Sequence, residues 1–255
     1  MPFRGHVSCY PHAACDRVGH AMTKLADTLH ASLAAAADPA RAPAMQAYMK
    51  SSMPYLGVSA VPMRAVCKAV FAGQSWDGPA AWRRDVLAIW RGARFREERH
   101  AAIELTGIRA AQAFQTIEAL TLYEEMIVTG AWWDYVDIIA THRLWGLLRQ
   151  NPAAMKPRML AWAQDEDMWK RRSAILVQIK AKAETDLDLL YACIEPSIDS
   201  TEFFLRKAIG WALRQYAWTD PVEVSRYVAG NAGQLSGLSR REALKNIEGE
   251  SAGAE

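Results

Sequence analysis

Apolar residues return at three- and four-residue steps along most of the chain. Val18, Met22, Leu25, Leu29 and Leu33 set the pattern first, and Asp38-Pro39 closes it. That period puts the apolar set on one face of a helix, and proline cannot continue the hydrogen-bond ladder. The same reading predicts helices over residues 16–37, 42–50, 62–72, 79–91, 97–105, 110–128, 132–149, 152–163, 167–180, 186–194, 200–216 and 221–228. No segment alternates with the period of two that a half-buried strand needs. Gly130, Asn151-Pro152, Pro196 and Asp220-Pro221 punctuate the pattern and leave only short connections.

Helix pairs recur at roughly 35 to 47 residues, the period at which one pair stacks on the next and buries a shared apolar face. The expected fold is therefore all-α, a curved solenoid of HEAT-like helical repeats over residues 18–250, with an irregular arm at 1–17 and a frayed tail at 251–255. Self-similarity between the pairs is weak at the residue level, so an irregular all-α bundle accommodates the same helices.

Of the 255 residues, 51% are hydrophobic and 23% charged, the balance of a soluble chain able to bury its own core. A net charge of +2 means that a nucleic-acid partner must be held by a local basic patch, not by bulk charge. No apolar run reaches the roughly 18 residues that span a bilayer, and no leader pattern opens the sequence, so a cytoplasmic protein is expected. Cys9, Cys15, Cys67 and Cys193 are scattered, as free thiols in a reducing compartment would be. His6, Cys9, His12 and Cys15 recur every third residue and bear zinc-ligating groups, yet this strict spacing matches no common zinc finger. Pro2 and Pro11 suit an irregular arm instead, and no metal is expected. Tryptophan is the outlier, since ten indoles exceed what an ordinary core takes and leave some to meet a base, a sugar or a cation.

The candidate chemistry falls in three segments. Trp133 and Asp137 are four residues apart and share a helix face, while Trp132 points about 100° away and can enter the core with Val136 and Ile139. Over residues 203–214, Leu205, Ala208, Ile209, Ala212 and Leu213 form the apolar stripe, and Phe204, Lys207, Trp211 and Arg214 form a second face alternating aromatic and cationic. In Trp169-Lys170-Arg171-Arg172, Arg172 lies in line with Ile175, Leu176 and Ile179, where a purely solvated arginine is out of place. Asp137 and Arg172 are 35 residues apart, and Arg172 and Trp211 are 39 apart, about one helix pair each time. Equivalent helices of successive repeats would thus bring a carboxylate, a guanidinium and two indoles to one surface. Taken singly, each residue also fits core packing or plain solvation.

At these residues the sequence resembles the bacterial DNA alkylation-repair glycosylases of the AlkD type. Besides Trp133-Asp134-Tyr135-Val136-Asp137, the resemblance is carried by Tyr48-Met49-Lys50, Met53-Pro54-Tyr55-Leu56-Gly57-Val58, Arg96-Glu97-Glu98-Arg99, Arg171 through Leu176, Phe203 through Arg214, and Leu238 through Ala243. It implies a HEAT-like fold that cradles duplex DNA and excises cationic N3- or N7-alkylated purines without metal or organic cofactor. A site built along one concave surface needs no second subunit, so a monomer is expected. It further implies Asp137 as the catalytic carboxylate, Trp133 and Trp211 as aromatic walls at the lesion's deoxyribose, Arg172 as a backbone clamp and Tyr48 as a third aromatic. Lys50, Lys207 and Arg214 complete the expected DNA-binding set. The loop after Gly57 departs from the pattern, because Val58-Ser59-Ala60-Val61-Pro62 carries its proline late. A non-catalytic protein binding bent or branched DNA, or a protein-interaction scaffold, would use the same surface.

Overall fold

Leu25, Leu29 and Leu33, the first apolar stripe, are buried on α1 (Lys24–Ala35), whose N-terminus is capped by Thr23 accepting the Ala26 N–H. The computed structural model describes residues 23–251, with side chains through residue 247. The remaining α-helices are α2 (Ala42–Met49), α3 (Ala60–Val70), α4 (Pro79–Gly92), α5 (Arg96–Leu105), α6 (Leu120–Gly130), α7 (Trp133–Ile138), α8 (Trp145–Gln150), α9 (Pro152–Ala163), α10 (Met168–Leu176), α11 (Leu187–Ile194), α12 (Phe203–Ala217), α13 (Pro221–Gly230) and α14 (Gly237–Ser251). No strand occurs among the described residues. The arm with His6, Cys9, His12 and Cys15, and the expected helical residues 16–22, lie outside them.

The helices form two layers. α3, α5, α7, α10, α12 and α14 pack in succession, while α4 backs α5, α6 backs α7, α9 backs α10, and α13 backs α12 and α14. This is a helical-repeat solenoid, in which each pair covers the apolar face of its neighbours. Trp82, Trp90, Tyr123 and Tyr135 are the largest fully buried side chains. No helix among the described residues is long and apolar enough to cross a membrane.

Three elements differ from the periodicity. Residues 110–128 do not make one helix, because two 3-10 turns, Arg109–Phe114 and Ile117–Ala119, precede α6. The Gln115 side chain donates to the Thr106 and Ala111 carbonyls, and these bonds stabilise the break. Residues 133–150 do run on without interruption, but Ile139–Leu144 is π-helical. The pattern missed α14 altogether. Its packing on α12 is made by small groups, with Ser239 and Ala243 fully buried, so no stripe of large apolar residues announces it.

That packing depends on Gly210. A Cβ there would lie 2.5 Å from Glu242 Cβ and 3.0 Å from the Ser239 carbonyl oxygen, so any side chain forces the two helices apart. Gly210→Ala is expected to lower the unfolding free energy by about 1–3 kcal/mol, measured by urea denaturation. An unchanged midpoint would show that the crossing is not tight.

Candidate active site

Helix α7 starts at Trp133, with Trp132 extended as its N-cap. Two buried arginines hold this helix, one from the preceding helix of the layer and one from the following helix. Arg96, on α5, donates to Asp134 Oδ1 at 2.5 Å, to the Tyr55 hydroxyl at 2.9 Å and to Ser51 Oγ at 3.2 Å, and its guanidinium lies 4.3 Å from the Tyr135 ring centre. The other Asp134 oxygen meets His100 Nε2 at 2.9 Å. Burial alone would raise the pKa of Asp134, but His100 and Arg96 outweigh it and hold the carboxyl below its ordinary range.

The neighbouring Glu97 anchors the loop between α2 and α3, accepting the backbone N–H groups of Leu56, Gly57 and Val58 at 3.1, 2.9 and 3.1 Å. Gly57 has φ of +85°, and a Cβ there would sit 1.9 Å from the Asp38 carbonyl oxygen, so the loop requires glycine. The Arg96-Glu97-Glu98-Arg99 motif thus ties the N-terminal pairs to α7.

Arg172, on α10, holds Asp137 from the other side. Its Nε donates to Oδ1 at 2.7 Å and its Nη2 to Oδ2 at 2.8 Å, a two-point fork, while Nη1 donates to the Phe204 carbonyl on α12 at 2.5 Å. Three successive helices of the layer therefore meet at one guanidinium. Arg172 is only 4% exposed and the Asp137 side chain 13%. Burial pushes the Asp137 carboxyl above its ordinary range, more than Arg172 lowers it, and the charge of Asp134 adds to the rise.

Aromatic rings wall this junction. The Trp132 ring centre lies 5.7 Å from that of Phe204 and 6.3 Å from that of Trp169, and Trp169 lies 5.0 Å from Phe204. Trp132 is partly buried against the core, held there by its extended N-cap backbone and not by a helical phase, and its indole N–H is buried without a partner. Trp133 is half-buried beside it.

A family model of DNA alkylation repair enzymes matches residues 29–247. The chain belongs to the DNA alkylation repair enzyme family. Among solved structures it is similar to "Predicted DNA alkylation repair enzyme from Enterococcus faecalis", at 29% identity with a TM-score of 0.74, covering 82% of this chain and 95% of that one. No curated protein sequence matches.

Within this alkylation repair fold, the expected residues divide by environment. Asp137 and Arg172 are brought together, with Trp133 one turn before Asp137. Trp211 is half-buried on α12, two turns beyond Phe204. Tyr48 is 80% exposed on α2, and Lys50 caps that helix with φ of +49°. Arg172 is not placed as an open clamp would be. An open clamp needs a reachable guanidinium, and this one is enclosed, with three of its N–H groups committed to Asp137 and Phe204.

Lys207 and Arg214 lie toward the C-terminal helix. Both are half-buried and pair with Glu242 of α14, at 2.7 and 2.9 Å, so this part of the aromatic and cationic face covers a helix. Lys207 foremost holds the Glu242 carboxyl below its ordinary range. Sequence reasoning gave no role to Arg96, Asp134 or the Phe204 carbonyl. Asp134 stood beside the chosen pair, but a carbonyl leaves no signal in side-chain identity. Among the described residues no group of three histidines, cysteines, aspartates and glutamates converges to hold a metal ion.

If the fork sets the position of Asp137, charge alone will not replace it. Arg172→Lys keeps the cation and removes the two-point geometry, and is expected to destabilise by about 1–3 kcal/mol. Arg172→Met leaves Asp137 buried and unpaired and is expected to cost about 3–5 kcal/mol. Equal stability of the lysine variant and wild type in denaturant melts would contradict this.

Proposed function

We propose that the protein is a DNA glycosylase that hydrolyses the N-glycosidic bond of cationic alkylated purines, N3-methyladenine and N7-methylguanine, in duplex DNA. The reading is carried by the two-point Arg172–Asp137 pair beside half-buried Trp133, in a chain of the alkylation repair family.

Alkylation at a ring nitrogen makes the purine cationic and hence a good leaving group. As the C1′–N bond breaks, its electron pair goes to the base, which leaves neutral, and positive character develops on the sugar. Water oxygen then bonds to C1′ and loses a proton. No acid need protonate the departing base. Asp137 has two parts in this scheme: it faces the oxocarbenium-like sugar and accepts the proton from the attacking water. A carboxylate about 4 Å from that centre, at an effective dielectric of about 20, contributes on the order of 4 kcal/mol, or about a thousandfold in rate if realised only in the transition state.

Trp133 and Trp211 add attraction of roughly 0.5–2 kcal/mol each toward a cationic sugar or base. Arg172 acts through Asp137, keeping both carboxylate oxygens in one orientation. Tyr48 and Lys50 are the exposed groups of the first repeats assigned to the DNA backbone. The substrate is met through sugar and backbone without extrusion into a deep pocket, so selectivity follows the lability of the lesion, and one chain suffices.

The test is release of methylated base from methylated duplex DNA. Wild type is expected to release N3-methyladenine and N7-methylguanine, and Asp137→Asn to do so at least about a hundredfold more slowly. Wild-type binding without release would instead favour a non-catalytic DNA-binding protein.

The carboxyl must be ionised to act, and its pKa is raised, so kcat/KM is expected to fall on the acid side at a pH above that of an ordinary aspartate. Residual activity of Asp137→Asn should lack this inflection. A wild-type profile that is flat down to the ordinary aspartate range would remove Asp137 as the titrating group.

A further inference from the structure

Trp218 is 65% exposed at the C-terminal end of α12, an unusual position for so large an apolar ring. It is also in register. Phe204, Trp211 and Trp218 follow one another at seven-residue steps, which returns each ring to within about 20° of the same face and places them about 10 Å apart along the axis. Trp218 lines a surface cleft of about 610 Å³ with Ile179, Lys180, Lys182, Gln215 and Thr219.

The lining contains two cations and no carboxylate. Among the described residues, neither Lys180 nor Lys182 forms an ion pair with an acid, and Lys180 Nζ is instead against His142 Nε2. His142 belongs to the π-helical stretch after Asp137, and Lys180 follows Arg172 in the chain, but here two basic groups meet where Asp137 and Arg172 form an ion pair. Burial, and then the positive charge of Lys180, push His142 below its ordinary range. Burial and the charge of Arg143 do the same to Lys180. Lys182 holds φ of +53°, a backbone region that a lysine enters at a cost. Glu104 offsets part of this positive charge at His142 and Arg143, but it does not line the cleft, whose own charged side chains are both lysines and suit an anion.

We infer that this cleft is a second seat for the DNA backbone, in which Lys180 and Lys182 take phosphate oxygens of the duplex flanking the lesion and the indole of Trp218 packs on the adjoining deoxyribose. Trp218 lies about 20 Å along α12 from Phe204, so the seat grips backbone beyond the reacting sugar. Charge complementarity selects the polyanion over a neutral protein surface. The inference rests on the duplex-DNA reading above.

Binding of methylated duplex by wild type, Lys180→Gln/Lys182→Gln and Trp218→Ala is to be measured by fluorescence anisotropy over a series of salt concentrations, with folding checked by circular dichroism. The lysine variant is expected to bind on the order of tenfold more weakly and to reduce the magnitude of the slope of log K against log salt by about two, one for each phosphate no longer neutralised. Trp218→Ala is expected to bind about fivefold more weakly with the wild-type slope, since it removes packing and no charge. Single-turnover base release at saturating protein should be unchanged in both. Wild-type affinity and slope in the lysine variant overturns the seat, and so does slowed release at saturation, which would join the cleft to the reacting site. A wild type that binds duplex with these variant effects but releases no base leaves the seat standing and removes the glycosylase reading. A wild type that binds no duplex removes both.

Discussion

A buried guanidinium joins three successive helices of this solenoid, and the site depends on that junction. Arg172 reaches from α10 to the Asp137 carboxylate on α7 and to the Phe204 carbonyl on α12. Desolvating such a pair costs several kcal/mol per ion, and the fork recovers this only when its geometry is kept. The neighbouring helices cannot shift by much without leaving a buried charge unpaired. The same fork therefore fixes the local packing of the layer and the aim of the carboxylate.

A second clamp lies one repeat earlier. Arg96 holds Asp134 on the same helix and reaches back to Ser51 and Tyr55, while Glu97 binds the backbone of the loop at Leu56 to Val58. Two arginines thus seize α7 at its second and fifth residues. The helix itself is only six residues long before the π-helical stretch begins, too short to be stable on its own propensity. Side-chain charge, supplied by its neighbours, sets where Trp133 and Asp137 point.

Much of this was legible in sequence because it is written in periodicity. Steps of three and four residues located most helices, the four-residue step put Trp133 and Asp137 on one face, and spacings of 35 and 39 residues put Asp137, Arg172 and Trp211 on helices of one layer. Arg172 stood on an apolar stripe, which set it apart from a purely solvated arginine and suggested a functional cation. Its partner was not readable, because a buried arginine pairs with whichever acceptor the fold brings near. α14 went unseen since close packing through Gly210, Ser239 and Ala243 replaces a large apolar stripe. That omission left Lys207 and Arg214 looking free, although Glu242 of the missed helix holds both. The 3-10 turns before α6 depend on side-chain bonds from Gln115 to carbonyls, which periodicity does not encode.

In the proposed mechanism Arg172 and Asp137 form a single unit, with the arginine acting only through the carboxylate it orients. A double-mutant cycle on single-turnover base release from N7-methylguanine duplex tests this directly, using wild type, Asp137→Asn, Arg172→Lys and the double variant. The predicted result is that each single variant slows release and that the double is no slower than Asp137→Asn alone. Losses that multiply in the double variant, or a wild type that releases no base, would contradict it.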